Sequence, residues 1–156
     1  MRIVPYIALL TTSTTTGSSS CTAVAAKLVA PGRTVLCFAG DGDFLMSGQE
    51  LATAVQHDLP IVVLVVNNGM YGTIRMHQER RYPGRVFATD LRNPDFAAYA
   101  QAFGAHGALV DRSEDVGPAL DEALGCGRPA LVELRVDPQA ITPRGTLDAI
   151  RDAAAR

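Results

Sequence analysis

The chain has 156 residues, 47% of them hydrophobic and 19% charged, with a formal net charge of −2. That suffices to bury one core and is too short for two comfortable domains. The charge gives no electrostatic reason to expect nucleic acid, and no stretch approaches the ~20 apolar residues of a membrane span, so neither is expected as a partner.

Residues 3–10 form a short apolar run, and residues 11–20 a Thr/Ser tract interrupted by Gly17. The run follows a single arginine and lacks a convincing small-residue cleavage pattern, so it does not read as a signal peptide. Residues 1–22 are set apart as an atypical segment expected to be disordered, with the folded domain over residues 23–156. Cys21, Cys37 and Cys126 show neither a CxxC pair nor metal-ligand spacing. They read as structural thiols in a reducing compartment, which makes cytoplasm the expected location.

The next elements carry the main signal. Thr34-Val35-Leu36-Cys37-Phe38-Ala39 and Ile61-Val62-Val63-Leu64-Val65-Val66 are nearly continuous apolar runs rich in β-branched residues. Such runs predict strands buried on both faces. Between them, Leu45, Gln49, Leu51, Ala52 and Val55 fit a helix over residues 44–57, with Asp43 as its N-cap and Asp58 and Pro60 closing it. The whole is a βαβ unit. Its right-handed crossover makes the strands parallel, so their carboxyl ends share one sheet edge and Asp41 meets Asn68 there.

Each strand ends on a polar cluster, Gly40-Asp41-Gly42 on the first and Asn67-Asn68 on the second. Either alone reads as a turn; together they assemble a site. A carboxylate and an amide oxygen are hard ligands, too few to cage Ca²⁺ but enough for Mg²⁺ once phosphates and water complete the octahedron. Gly40 and Gly42 let the backbone approach a phosphate closely, and the following helix N-terminus faces the anion.

A helix is predicted over residues 71–81, carrying Arg75, His77 and Gln78, followed by a Pro83-Gly84 loop. Arg75, Arg80, Arg81 and Arg85 are interrupted by Glu79 and read as a solvated helix face. Asn93-Pro94-Asp95 caps a helix through Phe103, ended by Gly104, and residues 107–110 form a short strand. Ser113, Glu114 and Asp115 open a helix that ends by Gly127; residues 130–136 form the last strong strand and residues 146–155 a terminal helix. His57 and His106 fall at element ends. The alternation predicts an α/β fold, an open and mostly parallel sheet with helices on both faces, whose ligands bind at the strand carboxyl ends.

The segments GDGDFLMSGQELATAV, NNGMYGTIRMHQE, NPDFAAYAQAFGAHG and GRPALVELRVDP together resemble the C-terminal, diphosphate-binding domain of the thiamine-diphosphate-dependent acetolactate synthase and 2-oxo acid decarboxylase superfamily. The resemblance covers residues 23–143 and one of the three domains of those enzymes. It implies thiamine diphosphate and Mg²⁺ as cofactors and a 2-oxo acid as substrate. Metal ligands would be Asp41, the Asn68 side chain and the Met70 main-chain carbonyl. Gly40, Gly42, Asp43 and Gly72 match positions that serve the diphosphate by backbone amide or close approach.

Two departures stand out. Relatives carry a glycine-rich loop upstream of Ala23, where this chain reads TTTGSSSCT and only Gly17 matches. His77 stands where acetolactate synthases carry a tryptophan that helps choose the second substrate. In the family, a glutamate from a separate pyrimidine-binding domain activates the cofactor, and no candidate for it is found among Glu50, Glu79, Glu114, Glu122 and Glu133. The catalytic residue is therefore unassigned. Three expectations follow: a diphosphate-binding subunit that assembles with a pyrimidine-domain chain, a silent remnant of a truncated or frame-shifted reading frame, or a nucleotide-binding α/β module.

Overall fold

The apolar runs form the strands that their composition predicts. In the computed structural model, which describes residues 19–142 and 145–155, β1 (Val35–Gly40), β2 (Ile61–Asn67), β3 (His106–Val110) and β4 (Ala130–Arg135) are parallel and lie in the order β1-β2-β4-β3. The inner strands are buried on both faces, with Val63, Val65, Ala130 and Leu131 fully inaccessible. This is why their sequences run apolar rather than alternating.

Helices cover both faces. On one lie α1 (Ser19–Val29), α2 (Asp41–Ser47), α3 (Glu50–Gln56) and α5 (Phe96–Ala102); on the other lies α6 (Val116–Gly125). Phe44 anchors the first face, with its ring edge-on to Phe96 at 5.5 Å and to Tyr99 at 5.8 Å. Burying a ring of that size contributes about 1.5–3 kcal/mol, and Phe44 stands one turn from Asp41. The anchor that packs the core also fixes where the site begins.

The remaining elements gather beside the sheet edge. α4 (Gly72–Arg81) packs against α7 (Leu147–Ala154) and against a hairpin of β5 (Ala140–Thr142) and β6 (Gly145–Thr146). The sequence does not foreshadow that hairpin. No described helix is long and apolar enough to cross a membrane.

Several boundaries differ from expectation. The helix expected over residues 44–57 is two, α2 and α3, separated at Gly48 and Gln49, where Leu51 and Ala52 donate to the Gly48 and Gln49 carbonyls three residues back. Gly48 sits so close to the Phe44 ring that a Cβ there would lie 2.8 Å from it. Asp43 is not an N-cap. The helix begins at Asp41, with Gly40 in the capping position, so Asp43 falls within the first turn and acts on the helix dipole instead. α1 starts at Ser19, ahead of the boundary drawn at Ala23, and buries Ser20, Ala23 and Val24; residues 1–18 lie outside the described residues.

Candidate functional site

The parallel register sets Gly40 opposite Val66, so Asp41 and Asn67 emerge side by side at the carboxyl edge of the sheet. Asp41 is 3% exposed. Its Oδ1 accepts from the Gly42 amide at 2.9 Å, and its Oδ2 accepts from the Gly69 amide at 2.9 Å and from Asn93 Nδ2 at 2.7 Å. Gly69 takes φ +69°, a turn that glycine makes without penalty. That turn brings the β2 loop back over the β1 end.

Residues 69–71 are clamped from outside. The Tyr71 amide donates to the Thr89 carbonyl and the Leu91 amide to the Gly69 carbonyl, both at 2.8 Å. Within the loop, the Met70 amide donates to Asn68 Oδ1 at 3.2 Å and the Gly72 amide to the Met70 carbonyl at 2.9 Å. An amide oxygen and a carbonyl oxygen have two lone pairs each, so both retain accepting capacity.

Between the starts of α2 and α4 opens a cleft of about 270 Å³. Gly40, Asp41, Gly42, Asp43, Met70 and Gly72 line it, as do Met46, Tyr71, Thr73 and Ile74, which the sequence did not single out. Asn68 is not among the lining residues, and its Nδ2 is 3.0 Å from where a Cβ on Gly72 would stand. A Cβ on Gly42 would meet the Tyr71 ring at 2.5 Å. Gly42 is thus held small by a ring, whereas Gly72 is crowded by the ends of two side chains, Ile141 and Asn68.

The amides expected to face a phosphate are partly spent, that of Gly42 on Asp41 and that of Gly72 on Met70. The first turn of an α-helix leaves further donors without intrahelical partners, and in α4 these belong to Thr73 and Ile74 on the cleft wall.

The donor chemistry fits a hard cation bound together with a diphosphate. Asp41 and Asp43 both border the cleft, so an anion entering there would be repelled unless a cation lay between. Among the described residues, no three His, Cys, Asp or Glu side chains gather to hold a metal alone; the remaining ligands would have to be phosphate oxygens and water, as suits Mg²⁺.

Other singled-out residues lie elsewhere. His77 is exposed on α4 and does not line the cleft, His57 is the C-cap of α3 and His106 opens β3. Arg80, Arg81 and Arg85 are exposed, whereas Arg75 is mostly covered and pairs with Asp90 at 2.5 Å. Cys37 is buried, and Cys21 and Cys126 are free thiols. The sequence predicts Asn93 as part of a helix cap, but only Asp95 caps α5, accepting from the Ala98 amide at 2.8 Å. Asn93 reaches the site instead.

Comparison with known proteins bears on this arrangement. The family model of the thiamine pyrophosphate enzyme C-terminal TPP-binding domain matches residues 5–134. A sulfoacetaldehyde acetyltransferase of Castellaniella defragrans is 43% identical over 103 residues, 66% of this chain and 17% of that enzyme. The large subunit of acetolactate synthase isozyme 2 of Escherichia coli is 38% identical over 116 residues, 74% of this chain and 21% of that subunit. Among solved structures, the thiamine diphosphate-dependent 4-hydroxybenzoylformate decarboxylase of Rhodococcus jostii RHA1 aligns with a TM-score of 0.74 and 32% identity, over 78% of this chain and 23% of that chain. The chain spans about a fifth of the length of these relatives.

Proposed function

This chain belongs to the family of thiamine pyrophosphate enzyme C-terminal TPP-binding domains, and from that premise we propose that it holds the diphosphate of thiamine diphosphate through Mg²⁺. The observation that carries the reading is the Asp41 Oδ2 bond to the Gly69 amide at 2.9 Å, which ties the GDG turn to the Asn-Asn loop across two strands. Asp41, Asn68 and the Met70 carbonyl supply the metal's protein oxygens. Gly40, Gly42 and Gly72 keep the cleft open to the phosphates, and Thr73 and Ile74 offer amides to them. Asp43, in the first turn of α2 on the cleft wall, serves the diphosphate through its main chain.

When bound, thiamine diphosphate supplies carbanion chemistry through its thiazolium ring. This chain's residues orient one end of the cofactor. None of Glu50, Glu79, Glu114, Glu122 and Glu133 lines the cleft, so the group that activates the pyrimidine ring comes from a pyrimidine-binding domain outside these residues. Turnover of a 2-oxo acid, by decarboxylation or carboligation, belongs to the assembly with that domain. A silent remnant remains the competing reading, and it predicts no turnover with any pyrimidine-domain partner.

Calorimetric titration of the full chain with thiamine diphosphate, with and without Mg²⁺, tests the binding claim. Saturable heat that requires the metal is expected. A folded chain giving no heat in either case overturns it.

A further inference from the structure

A chain of hydrogen bonds runs from the sheet interior to Asp41. Glu133 on β4 is fully buried, and three donors converge on its carboxylate: Asn67 Nδ2 at 2.8 Å, Arg135 Nε at 3.2 Å and the Phe96 amide at 3.1 Å. A side-chain amide facing that carboxylate must present its NH₂ group, so Glu133 fixes which way the Asn67 amide points. Asn67 Oδ1 consequently faces the opposite way, where it accepts from the Gly69 amide at 3.1 Å and from Asn93 Nδ2 at 2.8 Å.

The Asn93 amide is fixed by the same logic. Its nitrogen lies between two acceptors, Asn67 Oδ1 at 2.8 Å and Asp41 Oδ2 at 2.7 Å, and it has one N–H for each. Flipping the amide would set an oxygen against both. This orientation carries a cost, since among the described residues no hydrogen-bond partner reaches the buried Asn93 Oδ1. Leaving such an atom unpaired is unfavourable, so the two N–H bonds outweigh it.

The consequence appears on Asp41. Among the described residues, Oδ2 accepts two hydrogen bonds, which occupy both of its lone-pair directions, whereas Oδ1 accepts one. We propose that Asn93, oriented by Glu133 through Asn67, is a positioning residue that saturates Asp41 Oδ2 and leaves Oδ1 as the single carboxylate oxygen offered to a cation. A carboxylate restricted to one oxygen suits the compact six-ligand shell of Mg²⁺ better than that of Ca²⁺, which readily takes both oxygens. The network therefore selects the ion as well as holding the ligand. This inference rests on Asp41 being a metal ligand.

The test compares Asn93→Ala and Asn93→Asp in the full chain, each checked for folding by thermal melting and titrated with thiamine diphosphate in Mg²⁺ and in Ca²⁺. Loss of a hydrogen-bond partner behind a metal ligand typically costs about 10–100-fold in affinity, and that loss is expected for Asn93→Ala in Mg²⁺. In Ca²⁺ the loss is expected to be smaller, because the freed Oδ2 becomes available. Asn93→Asp, although nearly isosteric, should bind more weakly than Asn93→Ala, since it sets oxygens against Asp41 Oδ2 and Asn67 Oδ1. An aspartate milder than alanine, or equal losses in both ions, overturns the proposal.

Wild-type chain that binds the cofactor without regard to Mg²⁺ would instead sink the metal reading of Asp41. The hydrogen bonds are then judged separately by nitrogen-15 NMR of the wild-type side-chain amides, which also serves if the variants do not fold. Both Asn93 amide protons should exchange slowly with solvent; exchange as fast as that of an exposed asparagine overturns the network.

Discussion

Arg151 on α7 grips Glu79 on α4 with two parallel bonds, Nη2 to Oε1 at 2.6 Å and Nε to Oε2 at 3.0 Å. Glu79 is fully buried, and its Oε2 also accepts from the Gly84 amide at 2.8 Å. The opposite end of α4 borders the cleft, so the C-terminal helix holds the wall against which the phosphates would lie.

The Arg151 guanidinium holds the Glu79 carboxyl below the ordinary carboxylate range, against the opposing effect of burial. A carboxyl lowered in the folded chain takes up its proton more readily when unfolded, so stability rises with pH across that window. The contribution is complete above the ordinary glutamate value of about 4.3 and is lost as pH falls through the lower folded value. Arg151→Ala should lower Tm by several degrees at pH 7. Its Tm should fall less steeply than the wild type's below about pH 4.3. Arg151→Lys should recover only part, because an ammonium cannot form the paired bonds. Scanning calorimetry from neutral to acid pH checks all three; parallel wild-type and Arg151→Ala curves would exclude the pair as an acid-sensitive clamp.

Asp41→Ala should abolish Mg²⁺-dependent cofactor binding. From the sequence, Asp41 sits in a strand-end loop, and its removal should leave the fold largely intact. At 3% exposure and with three donors on its carboxylate, its loss also strips the Gly42 amide and one Asn93 N–H of their acceptor, while the Gly69 amide keeps only its longer bond to Asn67 Oδ1 at 3.1 Å. A cost of about 1–3 kcal/mol is expected from such unpaired groups, read by urea unfolding beside the titration. Retained metal-dependent binding would remove Asp41 from the ligand set.

Gly72→Ala should separate space from chemistry. The new Cβ would lie 2.5 Å from Ile141 Cδ1 and 3.0 Å from Asn68 Nδ2. The first contact is with the end of a flexible side chain, and Ile141→Val deletes that very methyl. The second falls on a residue proposed to hold the metal. The double variant Gly72→Ala/Ile141→Val should therefore regain the Tm lost by Gly72→Ala while still binding thiamine diphosphate more weakly in Mg²⁺. Full recovery of binding would show that only the Ile141 contact mattered.

How much of this was legible in the sequence depends on distance along the chain. β1, β2 and their polar ends were readable because a buried parallel strand writes itself as a continuous apolar run and the βαβ rule brings the ends together. Asn93 was not, because Asn-Pro-Asp already explains itself as a helix cap, and Asp95 alone satisfies that explanation. Glu79 and Arg151 are separated by 72 positions, and Glu133 and Asn67 by 66; nothing local marks either as a partner. The break at Gly48 was hidden because the helical apolar pattern continues across it, and only the Phe44 ring shows why a side chain is excluded there.

Gly107 makes the same point with a sharp control. In sequence it is an ordinary residue of a short strand, yet a Cβ there would stand 2.2 Å from the Ala97 carbonyl oxygen, 2.9 Å from its carbon and 3.0 Å from its Cα. All three are backbone atoms of α5, which crosses β3 at this point and cannot yield as a side chain would. Gly107→Ala must therefore separate helix from strand, and α5 carries Phe96, whose ring packs on Phe44 beneath the site. The cost should reach or exceed the ~1–3 kcal/mol of core overpacking. Gly117→Ala on α6 meets nothing within 4 Å and replaces a poor helix former by the best, for a gain of up to about 1 kcal/mol. Urea unfolding of the two variants should move in opposite directions from wild type. A Gly107→Ala chain as stable as wild type would mean that α5 does not lie against β3 as described.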